Sequence, residues 1–294
     1  MSLPICKHEV PVAGGTLAVF QYGDGIGEPV LLIHGVTSSN RAFQLFADSI
    51  IARGKAPYAV DLRGRGDSNE LPTPFGMRAH AQDLVAVIDY FGWKAPDVIG
   101  HSMGAFVAAA LVGLFPEKIG NTVLADGGIP FPMPAGMSVE QIMPFLLGPA
   151  MTRLAMTFES QANYRDYWKS QAAFSRGWSA VLDEYVDYDL RGSAPLLKAA
   201  TNPQAVEDDS RDMFEDDLVA RSLLSLQKET IFIKAERGLQ NEANGLYPML
   251  ALETLLPLYP KLKLELLADF NHYEMFLNET AAEKVAQIIY GGRA

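Results

Sequence analysis

Asp97-Val-Ile-Gly100-His-Ser102-Met-Gly104-Ala-Phe-Val-Ala-Ala-Ala-Leu111 is the stretch on which the reading of this 294-residue chain turns. Asp97 to Ile99 is a short apolar run of strand type, and Ala105 to Leu111 has the composition of a buried helix. Between them stands Gly-x-Ser-x-Gly. A serine at the tip of so sharp a strand-to-helix turn is held in strained backbone geometry, and the residues two before and two after must be small so that the helix can pass close to the strand. Gly100 and Gly104 meet that need. The pentapeptide alone is a weak signal in a chain with 25 glycines, but strand, elbow and helix together make Ser102 a candidate nucleophile.

A second segment supports the first. His34-Gly35-Val36 follows the apolar run Val30-Leu-Leu-Ile33, where a chain turning away from a strand end can aim a backbone N–H at the nucleophile. The amides of Val36 and of Met103, at the start of the elbow helix, are therefore candidate donors of an oxyanion hole, a role that needs neither side chain.

Working outward, residues 7–128 alternate strand-like runs with helical patterns: Val30–Ile33, Pro57–Val60, Asp97–Ile99 and Thr122–Leu124 are each apolar and each followed by a turn containing Gly or Asp. Such alternation predicts a parallel sheet covered on both faces. The flanks of Gly14-Gly15, Val10–Val12 and Leu17–Phe20, predict a hairpin at the sheet's edge and hence a mixed sheet. From about 130 to 225 the strand-like runs vanish and helical signals take over, with a capping-box pattern at Ser138 and Gln141. The strand pattern resumes with Thr230–Ile233 and Leu262–Leu267, and Ala281–Ile289 closes the chain as a helix. The division predicted is an α/β core of residues 1–129 and 226–294 with an inserted all-helical cap of residues 130–225.

Asp61-Leu-Arg-Gly-Arg-Gly-Asp-Ser68 follows a further strand, and with it the chain resembles the α/β-hydrolase superfamily. That resemblance implies the α/β-hydrolase fold, a mostly parallel central sheet with helices on both faces and an inserted helical cap. It makes the Asp61–Ser68 segment a structural loop, so the Arg65-Gly66-Asp67 tripeptide is read as incidental and not as an adhesion motif. It also places the base on a loop after the last strand, where His272 is the one histidine of five. The other four, His8, His34, His80 and His101, are read as packing or hydrogen-bonding locally, and no metal site is expected from them.

At the third triad member the sequence departs from the family pattern. After Thr230–Ile233 the chain reads Lys234-Ala-Glu-Arg-Gly238, with Gly238 where the superfamily usually carries its aspartate. Asp126, directly after the sixth strand, occupies the superfamily's alternative position; Glu236 is the other candidate. Asp269 is disfavoured because the loop tethers it too close to His272. Capping of the Gly127-Gly128 turn is a competing structural role for Asp126.

Composition bounds the partners. A net charge of −11 with no basic cluster argues against nucleic acid or an anionic membrane surface. A single cysteine, Cys6, permits no intrachain disulfide and fits a reducing compartment. With no secretory h-region or span-length apolar run in view, the expectation is a cytoplasmic protein whose partner is a small-molecule substrate, with the oligomeric state left open. The insertion carries Phe131, Phe145, Phe158, Tyr164, Tyr167, Trp168, Phe174, Trp178, Tyr185 and Tyr188 with Met133, Met137, Met143, Met151 and Met156. Most of these must pack its helices, while some remain to line an apolar cleft above Ser102. Eleven acidic against three basic residues between Asp183 and Asp217 read as a solvated surface that disfavours anionic substrates.

What the resemblance and the cap composition together imply is a serine hydrolase that cleaves a neutral, mainly apolar carboxylic ester or lactone through an acyl-enzyme, without cofactor. Two alternatives stay open: a carbon-carbon bond hydrolase of a diketone, which could share the whole triad, and a non-catalytic small-ligand receptor on the same fold. Serine at the nucleophile position argues against the dehalogenases and epoxide hydrolases of the superfamily, which carry aspartate there.

Overall fold

The computed structural model describes residues 4–131 and 137–291. Eight strands form one sheet: β1 (Ile5–Val12), β2 (Gly15–Tyr22), β3 (Glu28–Ile33), β4 (Lys55–Val60), β5 (Asp97–His101), β6 (Thr122–Ala125), then, after the insertion, β9 (Thr230–Arg237) and β10 (Leu262–Asn271). Their spatial order is β1-β2-β4-β3-β5-β6-β9-β10. The β1–β2 hairpin turns at Gly14-Gly15 and joins antiparallel to β4, and every later pairing is parallel. The mixed sheet and edge hairpin expected from the sequence are both present.

Period-two burial divides the core between the two faces of the sheet. Leu31 and Ile33 of β3 join one cluster, with Phe106 and Val107; Val30 and Leu32 join the other, with Phe46 and Ile50. The first face is covered by α2 (Met77–Phe91), α3 (Met103–Leu114) and α8 (Leu218–Leu224), and the second by α1 (Gln44–Ile51), α10 (Glu274–Leu277) and α11 (Glu279–Tyr290). A further short helix, α9 (Met249–Leu255), lies between β9 and β10.

Between β6 and β9 the chain builds α4 (Val139–Ala155), α5 (Gln161–Lys169), α6 (Ala180–Tyr188), α7 (Pro203–Glu215) and α8. At the head of α4 the Gln141 Oε1 accepts from the Ser138 N–H at 2.8 Å, the reach-back half of the capping box. The insertion is not all helical, which corrects the sequence expectation: Leu190–Arg191 (β7) and Lys198–Ala199 (β8) pair as a small antiparallel ribbon. Two-residue strands carry no periodicity to detect. An aromatic cluster of Phe158, Tyr164, Trp168, Phe174 and Tyr185 packs the insertion together and onto Ala42 and Leu277 of the core. Met133 lies outside the described residues, as do the side chains of Met143 and Phe145. Helix α8 packs on α3, where the Ser222 Oγ would stand 2.1 Å from a Cβ placed on Gly113.

Candidate active site

Ladder register brings the candidate residues together. Ile33 pairs with Gly100, Gly100 with Leu124, His101 with Ala125 and Ala125 with Ile233. His34, Ser102 and Asp126 therefore emerge at the carboxyl ends of β3, β5 and β6, with Asp126 beside Lys234 and Ala235 of β9, which runs on to Arg237. Since β4 lies on one side of β3 and β5 on the other, this is also the point where the strand order reverses, the usual ligand crevice of an open α/β sheet.

Ser102 has φ 56° and ψ −125°, a conformation that L-residues rarely adopt. What holds it there is steric. A Cβ on Gly100 would stand 2.1 Å from the Gly104 carbonyl oxygen, and one on Gly104 would stand 2.1 Å from that of Ile33. A third glycine takes part: a Cβ on Gly127 would meet the Ser102 carbonyl oxygen at 2.1 Å. Strand, elbow and the turn after β6 are thus in backbone contact, with no room for side chains between them.

His272 is 2 % exposed and its Nδ1 lies 2.7 Å from Asp126 Oδ2. Against a carboxylate Nδ1 must carry the proton, which leaves Nε2 free to accept one. Asp126 is fully buried; its other oxygen, Oδ1, accepts from the Ala235 N–H at 3.1 Å, so β9 and not the Gly127-Gly128 turn is what it ties down. Glu236 is not brought to the imidazole: it is exposed, and its Oε2 accepts from the Asp269 N–H at 2.6 Å. Ser102 and His272 line one small cavity of about 50 Å³. Among the described residues no direct hydrogen bond joins the Ser102 Oγ to the imidazole; such bonds often tighten only when substrate is bound.

Two further histidines orient the site without lying in the triad positions. His34 Nδ1 donates to the Gly35 carbonyl at 2.7 Å while its Nε2 accepts from the Leu62 N–H at 3.0 Å, which fixes its tautomer. Burial pushes its pKa down to about 3, so it stays neutral. The Gly35 carbonyl also accepts from the Ser38 N–H at 3.2 Å. Because a trans peptide points its N–H opposite its C=O, the Val36 N–H faces away from His34. Val36 and Ser102 line the same cavity. Met103 is the first residue of α3, so its N–H has no intrahelical acceptor. His101 Nε2 donates to the His272 carbonyl at 3.1 Å, and the two rings lie 4.5 Å apart; burial holds His101 well below the ordinary histidine pKa.

Sequence reasoning missed Arg65 and Asp209. The Arg65 guanidinium is wholly buried and therefore unavailable as part of an adhesion tripeptide. It donates from Nε to the Val36 carbonyl at 2.9 Å, and from Nη1 to the Arg63 carbonyl at 2.9 Å and to Asp209 Oδ2. Asp209 accepts in addition from the Gly76 N–H at 2.6 Å and lies 3.0 Å from His80 Nε2. Burial alone would raise the Asp209 pKa, but Arg65 and His80 hold it below the usual carboxylate range. The acidic stretch is thus not uniformly solvated, a correction to the sequence reading: Asp209 is a buried ion-pair member, and Asp189, beside Arg153 and Tyr164, is a half-buried one. The signal available was helical spacing, since Ala205, Val206, Asp209 and Ser210 share the buried face of α7.

A larger cavity of about 380 Å³ also reaches Ser102, lined by Met103, Phe106, Phe131, Met213, Phe214 and Leu246 among others. Among the described residues no group of three or more His, Cys, Asp or Glu could hold a metal ion. No helix among them is long and apolar enough to cross a membrane.

The model of the alpha/beta hydrolase family matches residues 30–244. This chain belongs to that family. As an alpha/beta hydrolase it is 32% identical over 129 residues to a 2-hydroxy-6-oxononadienedioate/2-hydroxy-6-oxononatrienedioate hydrolase of Paraburkholderia phymatum, covering 42% of this chain and 44% of that one. It is 30% identical over 122 residues to a serine hydrolase-like protein of Danio rerio, covering 41% of this chain and 37% of that protein. The chain thus spans less than half the length of these relatives. Similar solved structures include an E-2-(acetamidomethylene)succinate hydrolase, with TM-score 0.78 at 18% identity over 98% of this chain and 100% of that one. The thioesterase domain of the curacin biosynthetic pathway follows the same course, with TM-score 0.76 at 19% identity over 97% and 99% of the two chains. At these identities the structural likeness speaks for the α/β-hydrolase fold alone.

Proposed function

We propose that this alpha/beta hydrolase is a serine hydrolase of neutral, mainly apolar carboxylic esters or lactones, with Ser102 as nucleophile, His272 as base and Asp126 as the acid that orients it. The observation that carries the reading is the 2.7 Å contact between His272 Nδ1 and the buried Asp126 carboxylate at the strand end beside a strained Ser102. In this mechanism His272 Nε2 takes the Ser102 Oγ proton as Oγ bonds to the carbonyl carbon. The Val36 and Met103 N–H groups hold the oxyanion. The C–O bond to the alcohol then breaks, and the alcohol leaves with the proton from His272. Water attacks the acyl-enzyme, giving one proton to His272 for return to Ser102 and releasing the carboxylic acid. Residues 130–225 act as the cap, with α4 and α7 contributing to the larger cavity and α8 resting on the core.

The carbon-carbon hydrolase reading draws support from the Paraburkholderia relative. Against it, the described residues lining the larger cavity include no Lys or Arg and one carboxylate, Glu242, an unfavourable setting for a dicarboxylate. Turnover of a panel of p-nitrophenyl esters beside a vinylogous diketone acid, by wild type and Ser102→Ala, tests the proposal. Ester hydrolysis by wild type that falls at least about 10³-fold in Ser102→Ala supports it; cleavage of the diketone with inert esters overturns it.

A further inference from the structure

The segment after β3 carries one of the two proposed oxyanion donors, yet the main chain does little to hold it. The Gly35 carbonyl, which shares a peptide with the Val36 N–H, accepts from His34 and from the Ser38 N–H. Beyond it, no main-chain donor reaches the Val36 or Thr37 carbonyl among the described residues. Side chains take over there. Arg65 Nε donates to the Val36 carbonyl at 2.9 Å, Arg153 Nη2 of α4 stands 3.5 Å from the Thr37 carbonyl, and the Tyr185 hydroxyl of α6 lies 3.2 Å from Ser38 Oγ. Arg153 and Tyr185 belong to the insertion, and Arg65 is tied to it.

Arg65 reaches both halves of the hole. Besides Val36, its guanidinium meets Asp209 of α7 and the Arg63 carbonyl through Nη1, and through Nη2 the Ala205 carbonyl of α7 at 3.4 Å. The same Nη2 lies 3.8 Å from the Sδ of Met103, the residue that carries the second proposed donor. Asp209 is fixed in turn by the Gly76 N–H at 2.6 Å and by His80 Nε2 at 3.0 Å. Ion and partner are wholly buried, so neither can exchange its contacts for water. Further along, α7 gives Met213 and Phe214 to the wall of the larger cavity.

The contacts on the Gly35 carbonyl fix which way the Val36 N–H faces, but not how far the loop stands from Ser102. That distance depends on the next peptide, which the Arg65 bond pins. An oxyanion donor must stand about 2.7–3.1 Å from the developing charge, and a misplacement of about 1 Å can cost on the order of 10²-fold in rate.

Resting on the serine-hydrolase reading, we infer that Arg65 is a positioning residue of the reaction: held by Asp209, its guanidinium sets the distance of the Val36 and Met103 amides from Ser102, so that the oxyanion hole is fully formed only while α7 is seated on the core. Arg65 touches no substrate. It makes the placement of a cavity-lining helix and the stabilisation of the transition state a single structural state, and an α7 that lifts away loosens the hole with it.

Arg65→Lys tests this, because it keeps a positive charge against Asp209 but has one ammonium where the guanidinium has separate donors for Val36 and Asp209. Turnover of a p-nitrophenyl ester is measured per site titrated with a fluorophosphonate, so that only folded protein counts. kcat should fall about 10- to 100-fold, with KM within about twofold. The Ki of an alkyl trifluoromethyl ketone, whose hemiketal on Ser102 places a negative oxygen in the hole, should rise by about the factor by which kcat/KM falls. Asp209→Asn, which leaves the guanidinium present but unanchored, should show the same split between kcat and KM, and it carries the test if Arg65→Lys yields no titratable sites. Wild-type kcat per titrated site, or a rise in KM with kcat unchanged, overturns the inference and reduces Arg65 to a structural ion pair while the serine-hydrolase reading stands. A wild-type protein that neither labels nor turns over sinks that reading, and the inference with it.

Discussion

The elbow around Ser102 and the insertion above it are held in place by different physics. At the elbow, backbone meets backbone: Gly100, Gly104 and Gly127 each leave no room for a Cβ, and the strained φ of Ser102 is enforced by those contacts. In the insertion, position is set by side chains reaching long distances in sequence. Asp209 of α7 meets Arg65, which holds the Val36 carbonyl; Asp189 meets Arg153 of α4; and an aromatic cluster fills the space between helices. The conformation of Ser102, the proposed nucleophile, is therefore a property of main-chain geometry, whereas the placement of the insertion above it depends on a few charged pairs. The two can then be damaged separately, save where Arg65 links them.

The largest effect expected is on the core side. Ser102→Ala should lower kcat about 10⁴-fold or more while leaving the urea midpoint near wild type, because the elbow is set by glycines and not by the hydroxyl. Asp126→Asn should cost roughly 10³- to 10⁴-fold, since an amide in place of the carboxylate favours the wrong imidazole tautomer; Glu236→Gln, whose carboxylate meets only the Asp269 N–H among the hydrogen bonds described, should stay within about twofold. Equal losses in the two would erase the distinction between Asp126 and Glu236.

On the insertion side the leading effect is on stability. Asp209→Asn leaves the wholly buried Arg65 without its charge partner and should destabilise by about 3–5 kcal/mol, read as a drop in urea midpoint. It should also lower kcat, by a smaller factor than Asp126→Asn, because Arg65 loses its anchor beside the Val36 peptide. A destabilised variant with wild-type kcat would show that the insertion and the proposed oxyanion hole at Val36 are independent.

A pH titration of stability sharpens the same contrast. His34 and His101 have depressed pKa values in the fold, mainly from burial, and are neutral there, but in the unfolded chain they take up protons below about 6.5. The unfolded state then binds more protons, so stability is complete above pH 6.5 and falls as pH drops toward 4, by about 1.4 kcal/mol per pH unit for each. Asp209, whose folded pKa is also depressed, adds stability present above the ordinary carboxylate pKa near 3.8 and lost as pH falls below it. Urea melts between pH 7 and 4 should therefore weaken the core first; a flat profile over that window would contradict the neutral, buried state of both histidines.

The same difference governs how much could be read without coordinates. The elbow and the strand pattern are legible because they are local: Gly100, Ser102 and Gly104 state their backbone requirement within five residues, and Val30–Ile33 is wholly apolar because both its faces are covered. His272 is legible by position after the last strand. The choice between Asp126 and Glu236 is not, since it depends on the register of β6 against β9, two strands separated by the insertion. Still less visible are the Arg65–Asp209 pair, 144 residues apart, and the ribbon of β7 and β8, too short to show a period.

Whether Ser102 is the nucleophile is decided by mass spectrometry of the protein after treatment with a fluorophosphonate. A single covalent adduct is expected on Ser102, absent from Ser102→Ala. An adduct at another residue, or none on a folded wild-type protein, would contradict it.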